Sequence, residues 1–452
     1  MGKITLEQAA AWCGGHIDPK YKDVAFLGAT NDTRSMNGGE LFVALKGTRD
    51  GHDFIHNAFE HHAAAVLCER CDGDYPAIVV KDTRIALGDI ARGERNRIGM
   101  KVVGITGSVG KSTTKEMVAS VLETTFVTGK TPVNHNNDIG MPMAILAMPE
   151  DTQVAVLEMG MNHFREMAYL SSIARPDIAM IINIGTMHIE HLGSQEGILQ
   201  AKLEILEGMD PNAPVILNGD DRLLWKVHQL RRPCTCFGVM NPEVSVLGEN
   251  VRMHDGSVSF DVKTSEGSFE VKLPVEGNHF VLDALAAVTV GLELGVAPEK
   301  IAQSLSGFQN MAGRQEMLKT EHYSIIKDCY NAGPESMDAA LQVLGNQKGR
   351  KIAVLGEMLE LGVNAQAEHY RIGRIAAEKA DYLLALGPNS SKMVEGAVTG
   401  GMIDGKAQAY EEQESLLKAL NRLARPGDVL LFKGSRGMHM ELVLEQFLEE
   451  EI

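Results

Sequence analysis

The chain has 452 residues, a formal net charge of −17, 44% hydrophobic residues and 23% charged ones. That balance belongs to a globular protein with ample material for buried cores, and the length suggests about three domains. The acidic excess argues against a nucleic-acid binder, because phosphate backbones are held by basic surfaces, while a local basic pocket for a small anion stays compatible with it.

In chain order, the first 80 or so residues mix short strands and helices. "GELFVALKG" (39–47) predicts a strand, "FIHNAFEHHAAAVLCE" (54–69) a helix running toward another strand, and "AIVVKDT" (77–83) a further strand. A polar, arginine-rich helical stretch then leads away, which sets the first domain at 1–82. The next segment has an α/β rhythm. "KVVGITG" (101–107) is a short buried strand leading into a helix over 111–124, and "QVAVLEMG" (153–160), "IAMIINIG" (178–185) and "APVILNGDD" (213–221) repeat the pattern. Apolar runs separated by helices predict parallel strands covered on both faces. Residues 244–273 alternate more, with turns at "HDGS" and "SEGS", and predict an antiparallel addition. "DALAAVTVGLELG" (283–295) is a helix ended by glycine. After "AGRQEM" the rhythm restarts with "SIIKDC", "KIAVLGE", "DYLLALG" and "GDVLLFKGS". The expected fold class is α/β in three domains, with a central parallel-sheet domain at 83–312 and a Rossmann-like domain at 313–452.

Six cysteines in so long a chain do not make a disulfide framework. "CERC" (68–71) and "CTC" (234–236) are each at most half of a zinc site. Four ligands at structural spacing are not evident, so all six read as reduced thiols. No basic start leads into an apolar signal segment and no run of 18 apolar residues occurs, so a cytoplasmic protein is expected.

"VVGITGSVGKSTTKEM" (102–117) carries the first chemistry. The general phosphate-binding loop is GxxxxGK[ST] between a strand and a helix, and here Ile105 stands where its first glycine belongs. The contiguous core, Gly107-Ser108-Val109-Gly110-Lys111-Ser112, followed by Thr113, is intact. Its glycines let backbone N–H groups approach phosphate at a helix N-terminus. Lys111 is expected to reach the outer phosphates, and the Ser112 hydroxyl to coordinate Mg²⁺. Glu158 ends the next strand, where strand ends converge on the ligand region, and suits a second Mg²⁺ ligand. His188, with His191 near it, follows the strand after that. Lys202 lies on a helix beyond this loop, and by pattern alone it reads as a surface lysine.

Several motifs, in order, make the chain resemble the Mur ligases of peptidoglycan synthesis. They are "TGSVGKST" (106–113), "NHNNDIGMP" (134–142), "EMGM" (158–161), "GTMHIEHLGSQEGILQAKLEI" (185–205), "EGNHFVLDALAA" (276–287) and "GRQE" (313–316). "NDTRSMNGGELFVALKGTRDGHDFI" (31–55), "DCYNAGPESMDAAL" (328–341), "LGEMLELG" (355–362) and "KGSRGMHME" (433–441) narrow the likeness to the branch that joins D-alanyl-D-alanine to UDP-N-acetylmuramoyl-tripeptide. The resemblance spans essentially the whole chain. It implies a UDP-substrate domain, a central ATPase-like domain and a C-terminal domain that closes over both, acting as a monomer without membrane insertion. It also accounts for the missing first glycine, since the family uses the shorter TGxxGK[ST] form.

The resemblance further implies ATP and two Mg²⁺ ions, with Lys111, His188 and a carbamylated Lys202 in catalysis and Ser112, Glu158, His188 and Lys202 around the metals. Asn278, His279, Arg314 and Asp328 are expected at the nucleotide. Asp32, Thr33, Arg34 and Lys46 are expected at the uridine-diphosphate end, and Asn137, Asn331 and Glu357 at the other substrate groups. Two positions depart from the family pattern: Gly333 stands where DxYNANP has its second asparagine, and Asp283 stands where asparagine is usual. The alternatives are a related ligase adding a different amino acid and a P-loop regulatory ATPase. Ligases of the family that add a diamino acid carry a DNPR signature that is absent here, folate ligases lack a UDP-sugar domain, and a regulatory ATPase would need neither that domain nor the Lys202 context.

Overall fold

The computed structural model describes residues 2–229, 232–254 and 256–449. Among them, three main sheets follow one another along the chain. The N-terminal sheet places Ala29–Thr30, Leu41–Val43, Ala65–Cys68 and Ala77–Val79 side by side, all parallel. The helix expected over 54–69 is shorter, covering Ile55–Glu60 before the strand at Ala65–Cys68. His62 turns the chain at φ 64°, and the whole strand is buried between its two neighbours. Burial in the sheet overrides the helix preference of the alanine run.

The helix Thr83–Ile98 fastens the first domain to the second. Asp82 caps it by accepting from the N–H groups of Arg84 (2.9 Å) and Ile85 (3.0 Å), and Gly99 at φ 72° ends it. Its buried Leu87, Ile90 and Ala91 belong to one continuous core with Leu41 and Leu67 on one side and Val102 and Leu157 on the other. Gly93 lets Trp12 lie flat on the helix, since a Cβ there would come 2.2 Å from the indole.

The central sheet has nine strands, ordered Gly267–Leu273, Ser257–Thr264, Val246–His254, Cys234–Gly238, Val215–Asn218, Ile178–Ile181, Lys101–Thr106, Val154–Glu158 and Thr128–Lys130. From Val246–His254 to Thr128–Lys130 the strands are parallel. Lys101–Thr106 therefore lies between Ile178–Ile181 and Val154–Glu158, and the residues that follow these three strands share one edge. The first three strands in that order form the antiparallel addition that the alternation predicts. Asp255, part of the stretch "HDGS" where a turn is expected, lies outside the described residues. Helices Lys111–Glu123 and Asn278–Glu293 cover one face, packing Val118, Leu122 and Leu285 against Val103, Ile105 and Val156.

The C-terminal sheet runs Glu316–Lys319, Ser324–Asp328, Val429–Lys433, Lys351–Leu355, Tyr382–Leu386 and Ala407–Tyr410, parallel except for its first strand. The two outer strands are absent from the sequence reading. Both are short and half solvated, so they carry no buried apolar run to announce them. All six cysteines are free thiols, with the sulfurs of Cys234 and Cys236 4.0 Å apart on one strand. Among the described residues no helix is long and apolar enough to cross a membrane.

Candidate active site

A cavity of about 650 Å³ opens over the phosphate loop, at the seam between the central and C-terminal domains. The strand Lys101–Thr106 runs into residues 107–110, and the helix Lys111–Glu123 begins at once. Ile105 is fully buried inside the strand, which is why the loop can start only at Gly107. Gly107 lies so close to Ile182 that a Cβ would come 2.3 Å from its side chain, and Gly110 adopts φ 82°. Both positions demand glycine. Asn183 braces the loop: its Oδ1 accepts from the N–H groups of Ser108 (2.9 Å) and Val109 (3.0 Å), and its Nδ2 donates to the Val109 carbonyl (2.9 Å). The first N–H groups of the following helix are left facing the cavity, where an anion is favoured.

Lys111 Nζ donates to the carbonyls of Gly107 (2.9 Å) and Ser108 (3.2 Å). Its burial lowers its pKa, with Glu158 pulling the other way. Ser112 Oγ donates to Glu158 Oε2 (2.7 Å), and Asn136 Nδ2 donates to Glu158 Oε1 (2.9 Å). A hydroxyl and a carboxylate thus meet at the loop, the hard oxygen donors that suit Mg²⁺.

Lys202 lies on the helix Gln195–Leu203, is 2% exposed, and has no ion-pair partner among the described residues. It is not the surface lysine that its sequence pattern suggests. Burial, and then the charge of Lys111, push its pKa well below the ordinary lysine value. A lowered pKa favours the neutral amine, the form of a lysine that can react with carbon dioxide. Among the described residues no group of three or more His, Cys, Asp or Glu side chains is arranged for a metal. Ser112, Glu158, His188 and Lys202 nevertheless all line the one cavity.

The C-terminal domain completes the cavity. Arg314 donates across the seam to Ser112 Oγ (2.9 Å), and its guanidinium stacks 3.8 Å over the Tyr330 ring. Asp328 is held by Lys433, whose buried Nζ donates to its Oδ2 (2.7 Å) and to the Asn331 carbonyl (2.9 Å). Of the residues singled out from sequence, the cavity brings together Ser108 to Thr113, Asn137, Glu158, His188, Lys202, His279, Arg314, Asp328 and Asn331. Asn137 accepts from the Gly140 N–H through its Oδ1 (2.8 Å), which fixes the turn it sits on.

Other expected residues lie elsewhere. Asn278 opens the helix Asn278–Glu293 on its exposed side and does not line the cavity, whereas Asp283 does. Glu357 is buried away from the cavity, its carboxylate accepting from Asn389 Nδ2 (2.5 Å) and from the Asn389 N–H (3.0 Å). Asp32, Thr33, Arg34 and Lys46 form a separate group just beyond the C-terminal ends of the strands Ala29–Thr30 and Leu41–Val43. Asp32 holds Arg34 there, and Lys46 pairs with Glu69. Asn136, Asn183, Asp283, Glu335 and Lys433 line the cavity without having been singled out. For Asp283 the departure from the family asparagine was the one available signal.

The comparisons with known proteins agree along the whole chain. The Mur ligase family catalytic domain matches residues 26–95, the Mur ligase middle domain 105–291, and the Mur ligase glutamate ligase domain 313–436. The UDP-N-acetylmuramoyl-tripeptide--D-alanyl-D-alanine ligase of Bacillus subtilis is 39% identical over 462 aligned positions, covering 100% of both chains. The chain belongs to the Mur ligase family. The ligase of the same description from Escherichia coli is 34% identical, with 99% of each chain covered. A crystal structure of MurF from Acinetobacter baumannii superposes with a TM-score of 0.91 at 33% identity, over 99% of each chain. MurF from Thermotoga maritima in complex with ADP gives 0.83 at 30%, over 94% of this chain and 98% of that one.

Both departures of this Mur ligase have a structural setting. Gly333 abuts Met187 across the domain seam, where a Cβ would come 2.9 Å from the methionine Cγ. Asp283 accepts from Thr114 Oγ1 (2.8 Å) and lies against Gly110. Burial pushes its carboxyl up to about 7, the Thr114 bond and Arg314 opposing, while burial holds the His279 ring down to about 4 and therefore neutral. The folded protein keeps the Asp283 proton where the unfolded chain has lost it. Its contribution to stability is complete below the ordinary value of 3.8 and is lost as the pH rises through about 7. Above that pH a carboxylate stands beside the phosphate cradle. Asp283→Asn is expected to tighten ATP binding roughly fivefold at pH 8 and to change it little at pH 6. Calorimetric titration with ATP at both pH values checks this.

Proposed function

We propose that this Mur ligase works in the cytoplasm as a monomer, with domain limits near residues 82 and 312, using Lys202 as a carbamate. The enzyme is an ATP-dependent, amide-forming ligase of the MurF type, adding D-alanyl-D-alanine to UDP-N-acetylmuramoyl-tripeptide. Full-length identity to curated ligases of that description carries the substrate assignment. The buried, unpaired Lys202 beside the phosphate loop supports the mechanism.

The terminal carboxylate of the tripeptide attacks the γ-phosphorus of ATP, and ADP leaves, giving an acyl phosphate. The amine of D-alanyl-D-alanine attacks the acyl carbon and loses a proton, and phosphate departs with the carboxylate oxygen. Both steps crowd anions together, so neutralisation and alignment provide most of the acceleration. Lys111 exchanges its loop carbonyls for the outer phosphates, and the helix N–H groups hold them. Bound Mg²⁺ would supply charge neutralisation, with Ser112, Glu158, His188 and carbamylated Lys202 as its holders. Arg314 and Asp328 reach the nucleotide from the C-terminal domain, with His279 and Asp283 on the opposite wall in place of Asn278. Asn137 and Asn331 serve the reacting substrates. Asp32, Thr33, Arg34 and Lys46 hold the uridine-diphosphate end, where the C-terminal ends of parallel strands favour a ligand. With Arg314 locked on Ser112, the closed seam keeps water from the acyl phosphate.

The test is phosphate release with ATP, Mg²⁺, UDP-N-acetylmuramoyl-tripeptide and D-alanyl-D-alanine. Release is expected to require both acceptor and dipeptide. Release that ignores the dipeptide would refute ligation.

A further inference from the structure

One segment of the central domain, residues 185–190, carries His188 and is held from the C-terminal side at two points. Glu335, in the first turn of the helix Pro334–Asn346, accepts at one oxygen, Oε1, from both the N–H of Thr186 (2.8 Å) and its Oγ1 (3.0 Å). Glu360 brings Oε2 to 2.5 Å from His188 Nδ1. The fit around Glu335 is close: a Cβ on Gly185 would come 2.8 Å from its carboxyl carbon. Its second oxygen, Oε2, is buried with no hydrogen-bond partner. Glu335 is half-buried and lines the reaction cavity, so its two bonds to Thr186 join the domains at the edge of the site itself.

We propose that Glu335 is a positioning residue for the ligation. It acts through Thr186 to bind the C-terminal domain to the segment that presents His188, so that closure of the domain and placement of that segment are one event. The side chain touches no reacting atom. Its length and its Oε1 acceptor do the positioning, while its charge is secondary. This rests on the ligase reading given above.

Four full-length proteins test it: wild type, Glu335→Ala, Glu335→Gln and Glu335→Asp. The readouts are kcat, KM for ATP, the ratio of phosphate released to amide formed, and the radius of gyration by small-angle scattering with ADP. Gln keeps an acceptor at the same reach, and it is expected to stay within about twofold of wild type in every readout. Ala loses the acceptor and Asp falls one methylene short. Both are expected to lower kcat about tenfold, the effect of a lost positioning contact, with KM for ATP within about twofold. Both are also expected to raise the phosphate-to-amide ratio above that of wild type and to widen the protein in scattering, with melting temperatures close to wild type. An Ala variant with wild-type kcat and ratio, or a Gln variant as impaired as Ala, would overturn the proposal. Scattering reports closure whether or not the ligase reading holds, and wild-type phosphate release without dipeptide would refute that reading alone.

Discussion

Lys202→Ala is expected to lower dipeptide-dependent phosphate release by about 10³-fold, the upper range for losing one preorganised electrostatic group. Lys202 is 2% exposed and its pKa lies well below the ordinary value, first through desolvation and then through Lys111. A charged ammonium there would repel both Lys111 and any cation held by Glu158. In the proposed mechanism the neutral amine adds to carbon dioxide, forming an N–C bond and releasing a proton, and so becomes a carboxylate. The wild-type enzyme should therefore lose activity in carbon-dioxide-free buffer and regain it with bicarbonate, whereas the Ala variant should respond to neither. An unchanged melting temperature would separate this loss from unfolding. Near-normal turnover of the variant would remove Lys202 from the site.

The second large effect is expected at Lys111. Lys111→Ala should reduce turnover by about 10²- to 10³-fold and weaken ATP binding as well, because the residue serves the ground state and the transferring phosphoryl group alike. The structure shows its resting position, on the carbonyls of Gly107 and Ser108. Those contacts hold the side chain at the loop where the outer phosphates are proposed to sit. Lys111→Arg is not expected to rescue, since a planar guanidinium is larger and presents its donors as a fork. Steady-state kinetics with calorimetric ATP titration distinguishes the two components.

Much of this site was legible because its chemistry is local. A phosphate cradle needs consecutive N–H groups, so Gly107 to Ser112 must be contiguous, and the helix behind them needs an apolar stripe. Glu158 and His188 were readable because each follows a buried strand, and parallel strands deliver such residues to one edge. What stayed hidden depends on partners far away in sequence. Thr114 meets Asp283 across 169 positions, Thr186 meets Glu335 across 149, and Ser108 meets Asn183 across 75. Each of these is an ordinary polar residue until the fold supplies its partner. Lys202 is the sharpest case, because nothing in its helix distinguishes a buried lysine from a solvated one. Asn278 and His279 differ for a related reason: one residue along a helix turns the side chain by about 100°, which leaves His279 on the cavity and Asn278 on the exposed side. The helix expected over 54–69 ends early, at Glu60, because burial in the sheet draws Ala65–Cys68 into a strand.

The central claim is that ATP is spent on activating a carboxylate, and one measurement reaches it directly. UDP-N-acetylmuramoyl-tripeptide carrying ¹⁸O in its terminal carboxylate is turned over with ATP and D-alanyl-D-alanine, and the inorganic phosphate is examined by mass spectrometry. One ¹⁸O is expected in each phosphate derived from fully labelled substrate, because that oxygen attacks phosphorus and leaves with it. Phosphate that carries no label while the amide forms would contradict it.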